Sequence, residues 1–400
     1  MAIQTLMLAA LAGSASAVKL YVSNYNGAKP NGDVSVLEFT PGVAQGQREA
    51  QLKVVSSVQG CGNEPTWLDQ SPPDSNIYCV DEGWSTPNAS LSALKKNADG
   101  SLSTIFSTLT IQGPVASQFY NDYKYVAIAH YGGGAISTFK LNSNSFTPVQ
   151  NFTFAAKGPR PEQEASHVHH SVIDPTKQFI VFPDLGADLI RVYKICKDTG
   201  LLTAQEPIKS TAGYGPRHAT FWSPDTVTDK NARIYLFVIH ELANKVISYK
   251  VNYSNSGVSF TKVQESGLYG DKAEPIGTRA AEIVVSPDNK FIVGSNRNAT
   301  IFSVKNYDAS NSTMIPSDSL TTFLPAANGS FKFVGLAASG GSFPRHFSFN
   351  KDGSLVAVGN QNSVPSTVDI FPRDVSSGKI GDRIASAKLP GAVNNVIWEA

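Results

Sequence analysis

From Val18 onward the hydrophobic positions of this chain come in short runs. Some alternate strictly with polar residues and some are continuous for four to six positions. The stretch HVHHSVIDPTKQFIVFPDLGADLIRVYKI, His167 to Ile195, shows the unit most clearly. It reads as a strand, an Asp-Pro turn, an apolar strand, an Asp-Leu-Gly-Ala-Asp turn and an alternating strand, each turn built from residues that favour it. The same order returns at GPRHATFWSPD (Gly215 to Asp225) and at FPRHFSFNKDGSLVAVGNQ (Phe343 to Gln361). Units starting near Glu64, Gly113, His167, Gly215, Arg279 and Phe343 are about 50 to 65 residues apart, close to the length of a propeller blade of four short strands. The opening strands from Lys19 make a seventh unit that lacks its first strand. AVNNVIWEA (Ala392 to Ala400) aligns with VIDP, TFWSP and EIVVSP, so the pattern predicts an all-β, seven-bladed β-propeller over residues 18–400. In it the C-terminal strand pairs with the N-terminal ones and closes the ring, which removes an exposed sheet edge. An array of β-sandwiches is the alternative, but it has no need of complementary incomplete ends.

Composition agrees with a turn-rich β protein. Gly (32) and Pro (23) are plentiful, and long runs of Ala, Leu, Glu and Lys at helical spacing are absent. The net charge of +1 with only 16% charged residues gives no basic footprint for nucleic acid and no polybasic patch for a membrane surface.

Residues 1–17, MAIQTLMLAALAGSASA, end in the small-x-small pattern of a secretory cleavage site and predict export, with residues 18–400 as one domain. The apolar run is too short to span about 30 Å of hydrocarbon. Sequons at Asn88, Asn151, Asn252, Asn298, Asn311 and Asn328 are candidate glycosylation sites in an extracellular protein. Of the three cysteines, Cys61 and Cys79 are the candidate disulfide if adjacent strands carry them, which leaves Cys196 over.

In a propeller the innermost strands surround a channel, and polar groups at their starts converge on one mouth. Here these are His167, His169 and His170; Arg217 and His218; Arg345 and His346; and Glu282. Glu241 and Arg297 follow second strands. Unpaired arginines beside a channel suit a planar, bidentate anion site, and a His with a nearby Glu can move protons near neutral pH. Lactone opening by water, or lactone formation from an unsaturated acid, needs these parts. On an ideal strand His167 and His169 share one face and His170 takes the other. No third ligand accompanies that pair, so no metal is expected. A structural alternative stands beside each reading: Arg and His at blade starts tie neighbouring blades together, and Glu241 is an inter-blade ion-pair partner.

At HVHHSVIDPTKQFIVFPDLGADLIRVY, GPRHATFWSP, AAEIVVSPDNKFIVGSNR and FPRHFSFNKDGSLVAVGNQ, most of the span from His167 to Arg373, the chain resembles the seven-bladed propeller lactonase family. That family includes propeller-type 6-phosphogluconolactonases and fungal carboxy-cis,cis-muconate cyclases. The resemblance implies an enzyme without metal or cofactor, acting on a small anionic lactone or unsaturated acid. Its His, Arg, Glu, Arg functional set falls on His169, Arg217, Glu241 and Arg297; His167, His170, His218, Arg345, His346 and Glu282, at their inner-strand positions, are the candidate substrate contacts. The family's activities are cytosolic, from which the predicted export departs. A secreted propeller that binds carbohydrate or protein without catalysis is the competing expectation.

Overall fold

Second strands such as Ile234–His240 and Tyr125–His130 are buried at every residue, whereas fourth strands such as Leu102–Thr110 and Gln51–Val58 are largely exposed. That gradient runs from the centre of a disc to its rim. It explains the continuous apolar runs: a second strand is covered on both faces by neighbouring blades. The computed structural model describes residues 17–25, 32–42, 49–71, 73–227, 231–255, 257–308 and 310–400. All of the predicted leader but Ala17 lies outside the described residues, as does the Gly/Pro/Asn turn that begins after Tyr25.

Seven antiparallel sheets of at least four strands form the ring. In blade 1, Ala392–Trp398 is the inner strand and pairs with Val18–Tyr25, which continues to Asp33–Thr40 and Gln51–Val58. The C-terminal strand therefore closes the ring as the sequence pattern predicts, and Leu20, Phe39, Val396 and Trp398 pack in one core cluster with Ala357 and Ile370 of blade 7. The inner strands of blades 2, 3, 5, 6 and 7 are Pro65–Gln70, Pro114–Tyr120, Pro216–Trp222, Arg279–Val285 and Pro344–Phe349. Blade 4 has only Val172–Ile173 in regular pairing, preceded by an isolated bridge between Val168 and Asp184. Blade 6 differs from the expected unit. NATIFSVKN does not supply its third strand; Phe302–Lys305 and Met314–Ser317 form a separate hairpin, and Ser319–Pro325 is the third strand. The apolar alternation of IFSVK is therefore spent on an inserted hairpin.

Cys61 and Cys79 form the disulfide, with Cα atoms 6.0 Å apart. Cys61 is not on a strand: it sits in the connector from blade 1 and is tied to the second strand, Ile77–Asp81, across blade 2's inner strand. Both are buried, and Cys196 is free and exposed. Closing a loop of this separation, 18 residues, stabilises by about 3 kcal/mol in the chain-entropy account. A Cys61→Ala, Cys79→Ala double variant is therefore expected to unfold at lower urea, with a loss of about 3 kcal/mol; an unchanged midpoint contradicts this. Among the sequon asparagines, Asn88, Asn151, Asn298, Asn311 and Asn328 are exposed and Asn252 is half-buried. No helix among the described residues is long and apolar enough to cross a membrane.

Candidate active site

Three tiers of side chains converge at one mouth of the channel, and a repeated backbone device builds them. Pro65, Pro114, Pro216 and Pro344 open their inner strands, a position that needs no ladder donor. Immediately after each proline the register slips: Pro216 pairs with His240, His218 with Ile239, and Arg217 is left over. Thr66, Val115 and Arg345 are the extra residues in blades 2, 3 and 7. Asn394 is the extra residue in blade 1, and Ala281 with Glu282 spans the slip in blade 6. His169 takes this place in blade 4, between the Val168 bridge and His170, with its N–H on the Pro183 carbonyl. A bulge breaks the alternation of a strand, so two consecutive side chains turn to the same side.

The residue after each second strand forms the rim. The N–H groups of Glu82, Tyr131, Leu185, Glu241 and Gln361 donate to the carbonyls of Glu64, Gly113, His167, Gly215 and Phe343, the same contact repeated in five blades. Arg297 holds the corresponding place in blade 6. Gly215 explains the GPRH motif. Its φ of +62° and the 2.6 Å from a built Cβ to Leu242 leave no room for a side chain, and its N–H donates to Asp188 at 2.8 Å.

The rim and bulge tiers meet in an ion cluster. Glu241 Oε2 lies 2.9 Å from Arg217 Nε and 2.6 Å from Arg297 Nη2. The Arg217 contact is close but poorly angled, ionic more than a directed hydrogen bond. Backbone carbonyls hold the guanidiniums from behind: Arg217 Nη1 donates to Ala281 O at 2.8 Å, and Arg297 Nη2 to Ala280 O at 2.9 Å. Phe343 lies under Arg297 at 4.8 Å. Arg345 is 3.4 Å from Glu82, which also accepts from Tyr25 and Trp84. The arginines are thus paired, contrary to the sequence expectation, yet among the described residues Arg217, Arg297 and Arg345 have only Glu241 and Glu82 as direct ion-pair partners, three guanidiniums to two carboxylates. Burial, with Arg297 alongside, lowers Arg217 to about 9. Burial alone raises the Glu241 pKa, but Arg297 and Arg217 outweigh it and hold the carboxyl below its ordinary range. Glu241 is thereby a weak base and a firm anchor.

His169 sits beneath this cluster, with Tyr131 edge-on at 5.5 Å. Burial and the neighbouring Arg217 hold it neutral, well below the ordinary histidine value. His170 does not take the opposite face as strand alternation predicts. The bulge brings both rings to His218: His169 Nδ1 is 3.2 Å from His218 Nε2, and His170 stacks on His218 at 4.2 Å and 4°. The lower tier is His170, His218, Glu282 and His346 around the indole of Trp67, whose ring lies 5.1–5.7 Å from the three imidazoles. These four candidate substrate contacts also bond to one another and to backbone. His218 Nδ1 is 3.0 Å from Glu282, His346 Nε2 is 3.6 Å from it, and the N–H groups of Ala219 and Val396 donate to His170 and His346. His167 stands apart, stacked on Tyr131 at 4.1 Å with Glu164 3.2 Å away. A small space of about 10 Å³, roughly one water, is lined by His169, Arg217, His218, Glu282, Arg345 and His346 among others. Larger hollows, about 500 and 990 Å³, flank the inserted hairpin, far from these groups in the fold.

Sequence reasoning missed Glu82, Tyr131 and Trp67. The signal for Glu82 was present: VDEG at 80–83 repeats IHEL at 239–242, so a repeat alignment gives Glu82 the place of Glu241. Among the described residues no cluster of His, Cys, Asp and Glu suits a metal ion.

A closed seven-bladed ring with a cationic, histidine-lined mouth defines the class of protein. The family model described as "Lactonase, 7-bladed beta-propeller" matches residues 19–397, and the chain belongs to that family. It is 30% identical over 323 residues to the "Probable 6-phosphogluconolactonase" of Arthroderma benhamiae, covering 79% of this chain and 75% of that one. It is 25% identical over 370 residues to the 6-phosphogluconolactonase of Formosa agariphila, covering 90% and 94%. The periplasmic gluconolactonase PpgL of Pseudomonas aeruginosa shares the fold at a TM-score of 0.77 with 23% identity, covering 96% and 99%.

Proposed function

We propose that this protein hydrolyses a lactone bearing an anionic group at the channel mouth. The observation that carries the reading is Glu241 clamped between Arg217 and Arg297, with neutral His169 lining the same small space as Arg217. Arg217, Arg297 and Arg345 bind the substrate's anionic group and the developing oxyanion. Nε2 of His169 carries no protein hydrogen bond among the described residues and takes the proton from water. The water oxygen bonds to the carbonyl carbon, the ring C–O bond breaks, the ring oxygen takes the proton back from His169 and leaves as a hydroxyl, and the new carboxyl group releases its remaining proton to solvent. Family membership and relatives named 6-phosphogluconolactonase support the ring-opening direction. Export is part of the proposal, supported by the buried disulfide, which persists in oxidising compartments; mass spectrometry of the mature N-terminus tests it.

The test is a panel of phosphorylated, carboxylated and neutral lactones, followed by acid release, with cis,cis-muconates as a separate arm. Anionic lactones are expected to turn over fastest, and His169→Gln to lower kcat by about 10²- to 10⁴-fold. Turnover of the muconates alone supports the cyclase instead, and no turnover with an intact fold supports a binding propeller.

A further inference from the structure

We infer that Glu282 and His218 form a relay that fixes the tautomer of His169, and so act as positioning residues for the proton step. The inference rests on the lactonase reading of His169 but stands on geometry of its own. Glu282 is 2% exposed, and its Oε1 accepts the N–H of Ile283 at 2.9 Å and faces His218 Nδ1 at 3.0 Å. An ionised carboxylate only accepts, so the His218 proton sits on Nδ1 and Nε2 keeps its lone pair. That lone pair faces His169 Nδ1 at 3.2 Å, so His169 must donate there. Its own lone pair is then on Nε2, directed away from His218. Each ring is assigned by its neighbour, and the last assignment produces the base.

The surroundings leave the chain little freedom. His170 and His346 flank His218 and Glu282, and backbone N–H groups occupy Nδ1 of each, so both carry hydrogen on Nε2. His346 points that hydrogen at Glu282 Oε2 from 3.6 Å. Trp67 walls the rings of His170, His218 and His346, and Arg217, Arg345 and Tyr131 face His169 from blades 5, 7 and 3. When His169 takes a proton on Nε2, the positive charge is shared through the Nδ1–H bond to His218 and opposed by Glu282, while the guanidiniums above disfavour it. Glu282 is thus the buried countercharge for a cation that exists only during turnover, which also answers why an acid is placed beneath three arginines.

Two measurements test this at pH 7.5. Histidine-selective ¹⁵N NMR of the unaltered protein is expected to show His169 and His218 protonated at Nδ1 and bare at Nε2. An Nε2–H tautomer of either ring overturns the relay, whether or not any lactone is turned over. In kinetics, His218→Phe removes both ring nitrogens and His218→Gln keeps an acceptor where Nε2 stood. The Phe variant is expected to lose about 100-fold in kcat and the Gln variant about tenfold, with KM unchanged in both, since outer-shell partners of this kind are commonly worth 10- to 100-fold. Glu282→Gln, which keeps shape but not charge, is expected to fall about tenfold in kcat. If His169→Gln is inactive while His218→Phe runs at the unaltered rate, the relay falls and the lactonase reading stands. If His169→Gln itself is fully active, the assignment of the base falls instead.

Discussion

Arg217→Ala is expected to lower kcat/KM on an anionic lactone by roughly 10³-fold, about 4 kcal/mol at 1.36 kcal/mol per decade. Arg217 is among the largest fully buried side chains, and its guanidinium is held by Glu241 on one side and the Ala281 carbonyl on the other. Ordering the group is therefore complete before substrate arrives, and its remaining donors make contacts at no further entropic cost. The variant should still fold: it loses the Glu241 contact and a hydrogen bond to blade 6, but Arg297 still pairs with Glu241 and the repulsion between Arg217 and Arg297 is relieved. Arg217→Lys keeps the charge and loses the planar fork, so an intermediate loss is expected. Steady-state kinetics beside thermal melts decide the matter. Activity within tenfold of the unaltered enzyme, at an intact melt, removes Arg217 from the site.

The second large effect is on stability. Six of the seven histidines are held neutral by burial, His130 lowered to about 3 and His240 to about 4, with His169, His170, His218 and His346 lowered as well. A histidine whose folded value is depressed contributes stability above its unfolded value near 6.5, and that stability is lost progressively as pH falls toward the folded value. Three buried aspartates oppose the trend, because burial raises Asp69 to about 7 and Asp81 to about 6 and shifts Asp369 the same way, so the native state binds their protons first. The lowered histidines outnumber the raised aspartates, so the balance turns toward the unfolded chain as pH falls below the unfolded histidine value. Ordinary domains hold about 5–15 kcal/mol in all. The protein is therefore expected to be more stable at pH 7.5 than at pH 5.5, with stability falling as pH drops below about 6.5. Melts at pH 7.5, 6.5 and 5.5 measure this directly, and a Tm that stays flat across them would falsify the account.

The fold was legible because its period is written in local terms. Asp-Pro turns, apolar second strands and a displaced final strand each follow from short-range chemistry, and together they specify a ring. The candidates for the site were legible for the same reason: His169, Arg217, Glu241 and Arg297 occupy repeat positions. Their mutual arrangement was not. Period-two alternation put His169 and His170 on opposite faces, and only the extra residue in the ladder brings both to His218. Which guanidiniums Glu241 would meet was equally hidden. Nothing local to IHEL or GSNR indicates that one carboxylate from blade 5 would meet guanidiniums from blades 5 and 6, since such contacts depend on how neighbouring sheets are rotated about the axis. The inserted hairpin of blade 6 escaped because its alternation imitates a blade strand.

The slipped register after each opening proline has a consequence for how such a mouth can change. The backbone sets a pair of inward addresses in every sector whatever occupies them: Val115 and Ala116 stand where Arg217 and His218 stand two sectors away. Chemistry at this opening is therefore modular. A side chain can be exchanged at one address while the framework that aims its neighbours stays as it was, so a single ring can accumulate different recognition patterns without being rebuilt.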